Sequence, residues 1–556
     1  MTQPNPTLQL TIGGLLARAA NLWGRRTALV FDGQSLTYEQ LLDQARRHAN
    51  MLSSLGIAKG DKVGLWLPNC ATWFHLQHAC ALLGAVVVPL NTRYREHELS
   101  YLIGQSDVSV LVVTEQQGGI EFLPTLAKVL PHLTRGRAAE AERVFPMLRH
   151  ILIDRPTCEH HGTHSLQTLL ALAPAPASSS DPALVSDSAV PDDPYTLLYT
   201  SGTTAAPKGA VISHRNTVPH GWFCAQASGI DESDRILLSV PLCGSWGGLC
   251  IPNMAWSHGA AIVLTERYDA RETLELFERE GVTFWPAVDA MAMGVIDHPD
   301  FAKHDHSSLR GGWFVMNTGG RDGLFEEIVR KLGVRVAFQP YGMSEINSVA
   351  LYHRPDETVD ARSEPGGWPA QGLEVRLVDV ETQEPIEGAG QGEMQFRGPL
   401  VTRGYHHKPD ETAAAFTEDG WFRTGDLARR NEDGRLVFLS RLREALRINH
   451  FMVSPREIEE CVMQMPAVHQ CFVIGVPDTK LGEAVGAYVI PAAGAQPTVQ
   501  QILGHCRSHM ASYKVPVHVR IVDDVPRTPG PHGDKAQKGK LKQMLLDELK
   551  RMSVPA

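Results

Sequence analysis

A chain of 556 residues is too long for one hydrophobic core, so two or more domains are expected. A formal net charge of -10 argues against nucleic acid as a partner, because phosphate binding wants a basic face, and leaves anionic ligands to be held by local donors. No apolar run reaches membrane-spanning length, residues 1–12 lack a basic region followed by an apolar one, and the nine cysteines are odd in number and scattered, which together point to an enzyme-sized protein of the reducing cytoplasm.

The predicted elements alternate from the start. Residues 15–23 read as a short helix, 27–31 as a strand before the turn Asp32-Gly33, and 38–55 as a longer helix ending at Gly56. A buried strand at 63–67 is halted by Pro68 and Asn69, and a helix at 73–83 leads to a strand at 85–89. Strands alternating with helices predict a mainly parallel sheet covered on both faces. Cys158-Glu159-His160-His161-Gly162-Thr163-His164 crowds potential metal ligands into one polar loop. It lacks the paired spacing of a structural zinc site and reads as solvated. Residues 173–181 form a low-complexity surface linker.

The stretch 195–209, YTLLYTSGTTAAPKG, carries the first chemical signal. An apolar strand-like run ends in Thr200, Ser201, Gly202, Thr203 and Thr204, and Pro207-Lys208-Gly209 closes the turn. Short side chains let backbone N–H groups approach phosphate oxygens, hydroxyls add donors, and Lys208 supplies a point charge. It is not the common P-loop, in which the lysine follows a glycine and precedes Ser or Thr. By composition alone it is equally a polar connection between two strands.

Residues 235–333 continue the alternation, with strands at 236–241 and 261–264. Between 373 and 399 short strands separated by glycine-rich turns predict a small β-subdomain. Gly388-x-Gly390 there lacks the third glycine and following helix of a dinucleotide fingerprint and reads as a hairpin turn. From Glu444 the pattern is that of a separate α+β unit: helix 455–465, strands 468–474 and 484–490, helix 499–509, strand 517–522, then a basic tail. A boundary at 441–444 follows.

More motifs accompany the loop. Tyr341-Gly342-Met343-Ser344-Glu345 follows a strand at 334–338, and Trp421-Phe422-Arg423-Thr424-Gly425-Asp426-Leu427 precedes the turn Asp433-Gly434-Arg435. Arg441 begins a segment ending in Ser454-Pro455-Arg456-Glu457-Ile458-Glu459, and Val525-Pro526-Arg527-Thr528 is followed by Gly539-Lys540-Leu541. In this order and spacing, and with Gly60-Asp61-Lys62-Val63 and Gly475-Val476-Pro477-Asp478, the chain resembles the adenylate-forming superfamily. Its members are acyl-CoA synthetases, peptide-synthetase adenylation domains, beetle luciferases and related amide-forming ligases. The likeness spans about residues 36–546. It implies an α/β fold: a large N-terminal domain, 1–442, with mainly parallel sheets covered by helices plus a small β-subdomain. A small mobile α+β domain, 443–556, would turn on a hinge near Arg443-Glu444, where a Lys-Asp type pair is usual.

The resemblance implies ATP-dependent activation of a carboxylic acid. A carboxylate oxygen is a hopeless leaving group, so the acid attacks the α-phosphorus of ATP, expelling pyrophosphate and leaving an acyl-adenylate. Two anions meet, and cations with oriented donors must neutralise them. By residue, the resemblance gives the Thr200–Lys208 loop the β- and γ-phosphates and Glu345 a Mg²⁺ ion, a hard cation suited to carboxylate oxygens. Tyr341 offers a face to adenine beside Gly342, Met343 and Ser344, the last standing where threonine is commoner. Gly319 and Gly320 let the backbone approach adenine, with Arg321 added where proline is usual. Asp426 accepts from the ribose hydroxyls, Arg441 lies near the same sugar, and Lys540 reaches the α-phosphate and the acid.

Other positions bear on the acid and the acceptor. Cys243, Gly244, Trp246 and Cys250, with Trp285 and Met291, suggest an apolar acid pocket, widened where Gly244 replaces a usual ring. An aromatic, cyclic or medium-chain acid is expected. CoA is the expected acceptor by family habit, with an amine or amino acid, giving an amide, as the alternative. His450 stands where CoA users commonly carry glycine, so an imidazole occupies the pantetheine channel. Ala205 for glycine, the longer spacer 529–538 and Gln543 for arginine are further departures.

Overall fold

Helices begin where a side chain can take up the free N–H groups of the first turn. Thr37 accepts from the Gln40 amide while the Gln40 side chain accepts from Thr37 N–H, and this reciprocal cap starts the helix Tyr38–Ser54. The computed structural model of the chain describes residues 5–117, 119–131, 144–173, 188–200, 207–316, 323–448, 451–478, 482–528 and 535–553.

The first large sheet has seven strands, in the order Lys208–Ser213, Pro194–Thr200, Val86–Pro89, Lys62–Trp66, Val108–Thr114, His150–Asp154, His164–Ser165. All neighbours run parallel except the first pair, so the carboxyl ends of the parallel strands share one edge. A second sheet sets Arg235–Leu238 and Ala261–Leu264 parallel to Thr27–Phe31, with Gln34–Thr37 antiparallel at its rim. Parallel bridges at Phe284 carry it on to Gly311–Val315 and Val336–Phe338. Fully buried strands such as Val86–Pro89, apolar throughout, are what a parallel sheet covered on both faces requires.

Three readings are corrected and one strand is lengthened. The β-subdomain is larger than 373–399: a six-stranded sheet runs from Leu351–Tyr352 to Leu436–Arg441, pairing antiparallel throughout. The strand expected at 236–241 stops at Leu238, where the chain leaves the sheet for the loop at Pro241. The strand at 484–490 is Gly482–Pro491, antiparallel to Val468–Asp478 and parallel to His518–Ile521. The basic tail is a helix, Lys538–Ser553, because Leu541 and Leu545 recur at helical spacing and are completely buried. The linker of 174–181 lies outside the described residues.

Apolar clusters beginning at Leu446 share no buried member with those ending at Leu436, so the C-terminal segment closes its own cores. No described helix is long and apolar enough to cross a membrane.

Candidate active site

The loop that opened the chemical argument is the tip of a hairpin. Tyr195, Leu197 and Leu198 are buried, which fixes the strand Pro194–Thr200 in the sheet, and its partner Lys208–Ser213 sets Lys208 directly opposite Thr200. Thr200 and Lys208 thus stand at the mouth of the loop; Ser201, Gly202, Thr203 and Thr204 lie outside the described residues. Lys208 Nζ sits 5.2 Å from the ring centroid of Tyr405, a cation over the negative face of an aromatic ring. Two backbone bonds hold that neighbour in place: His406 N–H donates to Gly209 (2.8 Å), and Val211 N–H to Gly404 (2.9 Å).

The segment 341–350 folds back on itself. Tyr341 C=O accepts from Ala350 and Leu351 (2.8 and 3.0 Å), while Asn347 and Ser348 take positive φ of 55° and 89° after a short 3₁₀ turn, Ser344–Ile346. Gly342 is demanded by this reversal, since a Cβ there would lie 1.6 Å from the Ser348 oxygen. Gly342→Ala is expected to cost about 3 kcal/mol or more, read as a lowered unfolding midpoint with nucleotide protection lost. The reversal turns Glu345 inward, leaving it 6% exposed. Its carbonyl accepts from Thr402 N–H (2.7 Å) and its Oε1 from the Tyr405 hydroxyl (3.1 Å). Burial pushes the Glu345 carboxyl above the ordinary range, opposed in part by its own backbone N–H, Tyr405, Arg441 and Lys208.

Asp426 is placed by sheet register. It pairs across the strands Phe422–Arg430 and Leu436–Arg441 with Arg441, and is 1% exposed. The Tyr341 hydroxyl donates to Oδ2 at 2.6 Å, and the Arg441 guanidinium lies 2.8 Å from Oδ1. That nitrogen is not aligned for a hydrogen bond, so Oδ1 is a buried acceptor without an aligned donor. Tyr341 itself stacks on Phe438, with centroids 5.3 Å apart. Burial raises the Asp426 carboxyl to about 6, held from going higher by Arg441 and the Tyr341 hydroxyl.

A folded value above the unfolded one means that ionising Asp426 costs the folded protein. The stabilising difference is full below pH 3.8 and disappears as pH rises through about 6. Thermal unfolding of wild type against Asp426→Asn is therefore expected to show wild type losing ground across that window. Nucleotide affinity is expected to move the other way, rising with ionisation in wild type and staying weak and flat in the variant.

The predicted acid wall is less uniform than its sequence. Trp246–Cys250 forms a π-helical turn, and Gly247 and Gly248 fit it because a Cβ would fall 2.4 Å from Pro241 O and 2.1 Å from Leu242 O. Cys243 and Gly244 are partly exposed, Trp246 is 9% exposed with an unpartnered indole N–H, and Trp285 and Met291 are buried. Cys250 is wholly buried, its sulfur 3.9 Å from that of Cys224. Cys224 in turn lies 3.5 Å from His220 Nε2, and His220 Nδ1 is 2.9 Å from Asn347 Nδ2. This chain of contacts joins the wall to the turn that carries Glu345.

Thr200, Lys208, Tyr341, Met343, Ser344, Glu345, Asp426 and Arg441 thus lie on neighbouring elements. Lys540 does not join them: it is exposed near the start of the helix Lys538–Ser553, and among the described residues its side chain forms no hydrogen bond or ion pair with that group. Gly319, Gly320 and His450 lie outside the described residues. Sequence reasoning missed Tyr405, which touches both Lys208 and Glu345, and its only signal is a tyrosine after Gly404. It also missed Asn69, whose buried amide bonds Val240, Leu242 and Thr265 and so holds the loop before the acid wall.

The donor chemistry fits a nucleotide with a hard cation. Asp426 offers an acceptor oxygen of the kind a ribose hydroxyl needs, and Glu345 is a buried carboxylate near a lysine.

The family model for AMP-binding enzymes matches residues 16–406, and that for the AMP-binding enzyme C-terminal domain matches 457–530. The medium-chain acyl-CoA ligase ACSF2, mitochondrial, of Mus musculus is 28% identical over 97% of this chain and 88% of its own. Among solved structures, the anthranilate CoA ligase AuaEII in complex with anthranoyl-AMP superposes with a TM-score of 0.81, at 25% identity over 97% of this chain and 98% of that one. The amide bond synthetase McbA from Marinactinospora thermotolerans gives 0.79, at 25% identity over 96% and 99%.

Proposed function

The chain belongs to the AMP-binding enzyme family, and from that premise we propose that it activates a hydrophobic carboxylic acid with ATP and transfers the acyl group to CoA. The buried Asp426 carboxylate carries the reading, flanked by Tyr341 and Arg441 and with one oxygen lacking an aligned donor. A ribose diol supplies the missing donors. The acid's oxygen attacks the α-phosphorus, the bond to the bridging oxygen breaks, and pyrophosphate leaves with the electron pair. The thiol of CoA then attacks the acyl carbon, AMP departs, and the thiol proton goes to solvent.

In this reading Thr200 and Lys208 clamp the leaving pyrophosphate with the loop between them, and Ser344 adds a hydroxyl at its edge. Glu345 would hold Mg²⁺, which neutralises phosphate oxygens when bound, and Tyr405 keeps the Glu345 carboxylate oriented. Cys243, Gly244 and Trp246 receive an aromatic, cyclic or medium-chain acid; the names of the mouse and anthranilate ligases lend support to that range. Cys250 is assigned a packing role behind them. Domains 1–442 and 443–556 meeting near Arg443-Glu444 are proposed on the separate apolar clusters. The nine free cysteines favour a reducing cytoplasm.

An amide-forming reaction is the second reading, favoured by His450 in the expected thiol channel and by the likeness to an amide bond synthetase. The test incubates protein, ATP and Mg²⁺ with a panel of acids and measures pyrophosphate, then adds CoA or amino acids separately and identifies products by mass. No pyrophosphate with any acid defeats the activation reading, and amide without thioester defeats CoA transfer. His450→Gly is expected to speed thioester formation several-fold while leaving pyrophosphate release unchanged, as removal of an obstructing ring should.

A further inference from the structure

The histidine-rich loop meets a carboxylate from elsewhere in the chain. Glu115 follows the strand Val108–Thr114, and the loop follows the neighbouring parallel strand His150–Asp154, so both leave the sheet at the same edge. Glu115 Oε1 lies 2.6 Å from His160 Nε2, and Cys158 Sγ lies 3.6 Å from the same nitrogen. The three candidate ligand atoms are all within 4.8 Å of one another. Tetrahedral zinc places N, O and S ligand atoms roughly 3.3–3.6 Å apart, so the sulfur–nitrogen spacing already fits and the oxygen–nitrogen pair must open by less than about 1 Å.

The surroundings are built for it. Thr157 donates from N–H to Glu115 Oε1 (2.8 Å) and from its hydroxyl to Oε2 (2.7 Å), which fixes the carboxylate. Thr163 donates twice to the His160 carbonyl, from its hydroxyl at 2.8 Å and its N–H at 3.2 Å, which fixes the loop. The side chains of Glu115 and His160 are 13% and 29% exposed, and Cys158 is open to solvent. A thiolate and a carboxylate neutralise a dication, and an imidazole completes a donor set of zinc type. Two other clusters compare poorly. His220 has both nitrogens engaged, by Val349 O and Asn347, and the group Asp107, His406 and His407 has no thiol.

We infer that Glu115, Cys158 and His160 form an exchangeable zinc site, with water in the fourth position, that staples the loop to the end of the strand Val108–Thr114. On binding, the Cys158 proton passes to solvent and His160 carries its remaining proton on Nδ1. The ligands were separable in sequence only as a Cys-x-His pair; the carboxylate lies 43 positions before Cys158.

Among the nine cysteines, all of them described, only Cys158 is exposed, so its alkylation is a clean readout. Untagged full-length protein, stripped with a chelator, is treated with iodoacetamide with and without one equivalent of Zn²⁺, and Cys158 is followed by peptide mass. Zinc is expected to slow alkylation about tenfold or more, with EDTA restoring the rate. Glu115→Gln and His160→Ala should each abolish protection, while His407→Ala leaves it intact. Co²⁺ should give a thiolate charge-transfer band that Cys158→Ser removes. Equal alkylation rates with and without zinc, protection surviving His160→Ala, or protection lost in His407→Ala each overturn the site.

Discussion

Glutamine at position 345 is expected to lower acid-dependent ATP–pyrophosphate exchange by about two to three orders of magnitude, the scale of losing a preorganised charge from a catalytic site. The substitution is gentle to the fold. Its side-chain carbonyl can still accept from Tyr405, and the backbone carbonyl keeps its bond to Thr402. Removing a buried carboxylate whose ionisation is disfavoured also relieves a cost, so the variant should unfold no earlier than wild type at neutral pH. What disappears is the charge that would hold Mg²⁺ against the phosphates. Exchange is measured across a Mg²⁺ titration, and a rate close to wild type would remove Glu345 from the reaction.

Lys540→Ala is expected to reduce the same exchange by about a hundredfold or more, while acyl transfer from supplied acyl-adenylate keeps its rate. The helix does not depend on this side chain. Leu541 and Leu545 anchor it, and Lys538 pairs with Glu459 at 2.7 Å. Lys540 is exposed and makes no hydrogen bond or ion pair with the described groups around Asp426, so in the proposed reading its contribution to adenylation depends on the C-terminal unit bringing it in. The split between the two half-reactions separates that arrangement from general damage. Unchanged exchange would show that Lys540 does not act on the α-phosphate.

The α/β alternation was legible because buried parallel strands are apolar along most of their length, as in Val86–Pro89 and the run 110–113 within Val108–Thr114. The C-terminal helix was not, since its lysines mask a stripe carried by Leu541 and Leu545. The six-stranded sheet was underestimated because helices Val359–Ser363 and Pro409–Ala415 interrupt its strands along the chain, and only the register reveals pairs such as Asp426 with Arg441. Motif order singled out Lys208, Glu345, Asp426 and Arg441, and the fold sets the first two beside Tyr405 and the last two beside each other. Tyr405 could not be found this way, since its role comes from a bridge between Ala210 and Tyr405 that unites segments far apart in the chain. The Cys250 position shows the reverse: a plausible wall residue is turned inward by the π-helical turn.

Arg441 has a double engagement. Its guanidinium faces Asp426, while its carbonyl accepts from both Glu444 and Ala445 at 2.9 and 3.0 Å. Rotation at the proposed pivot, 443–444, must therefore exchange backbone bonds on the residue that faces Asp426. Two such bonds amount to about 1–3 kcal/mol, enough to bias a two-position equilibrium substantially. By thermodynamic reciprocity, whatever nucleotide state tightens the Arg441–Asp426 pair also weights one orientation of the C-terminal unit, and that orientation returns the same factor in nucleotide affinity.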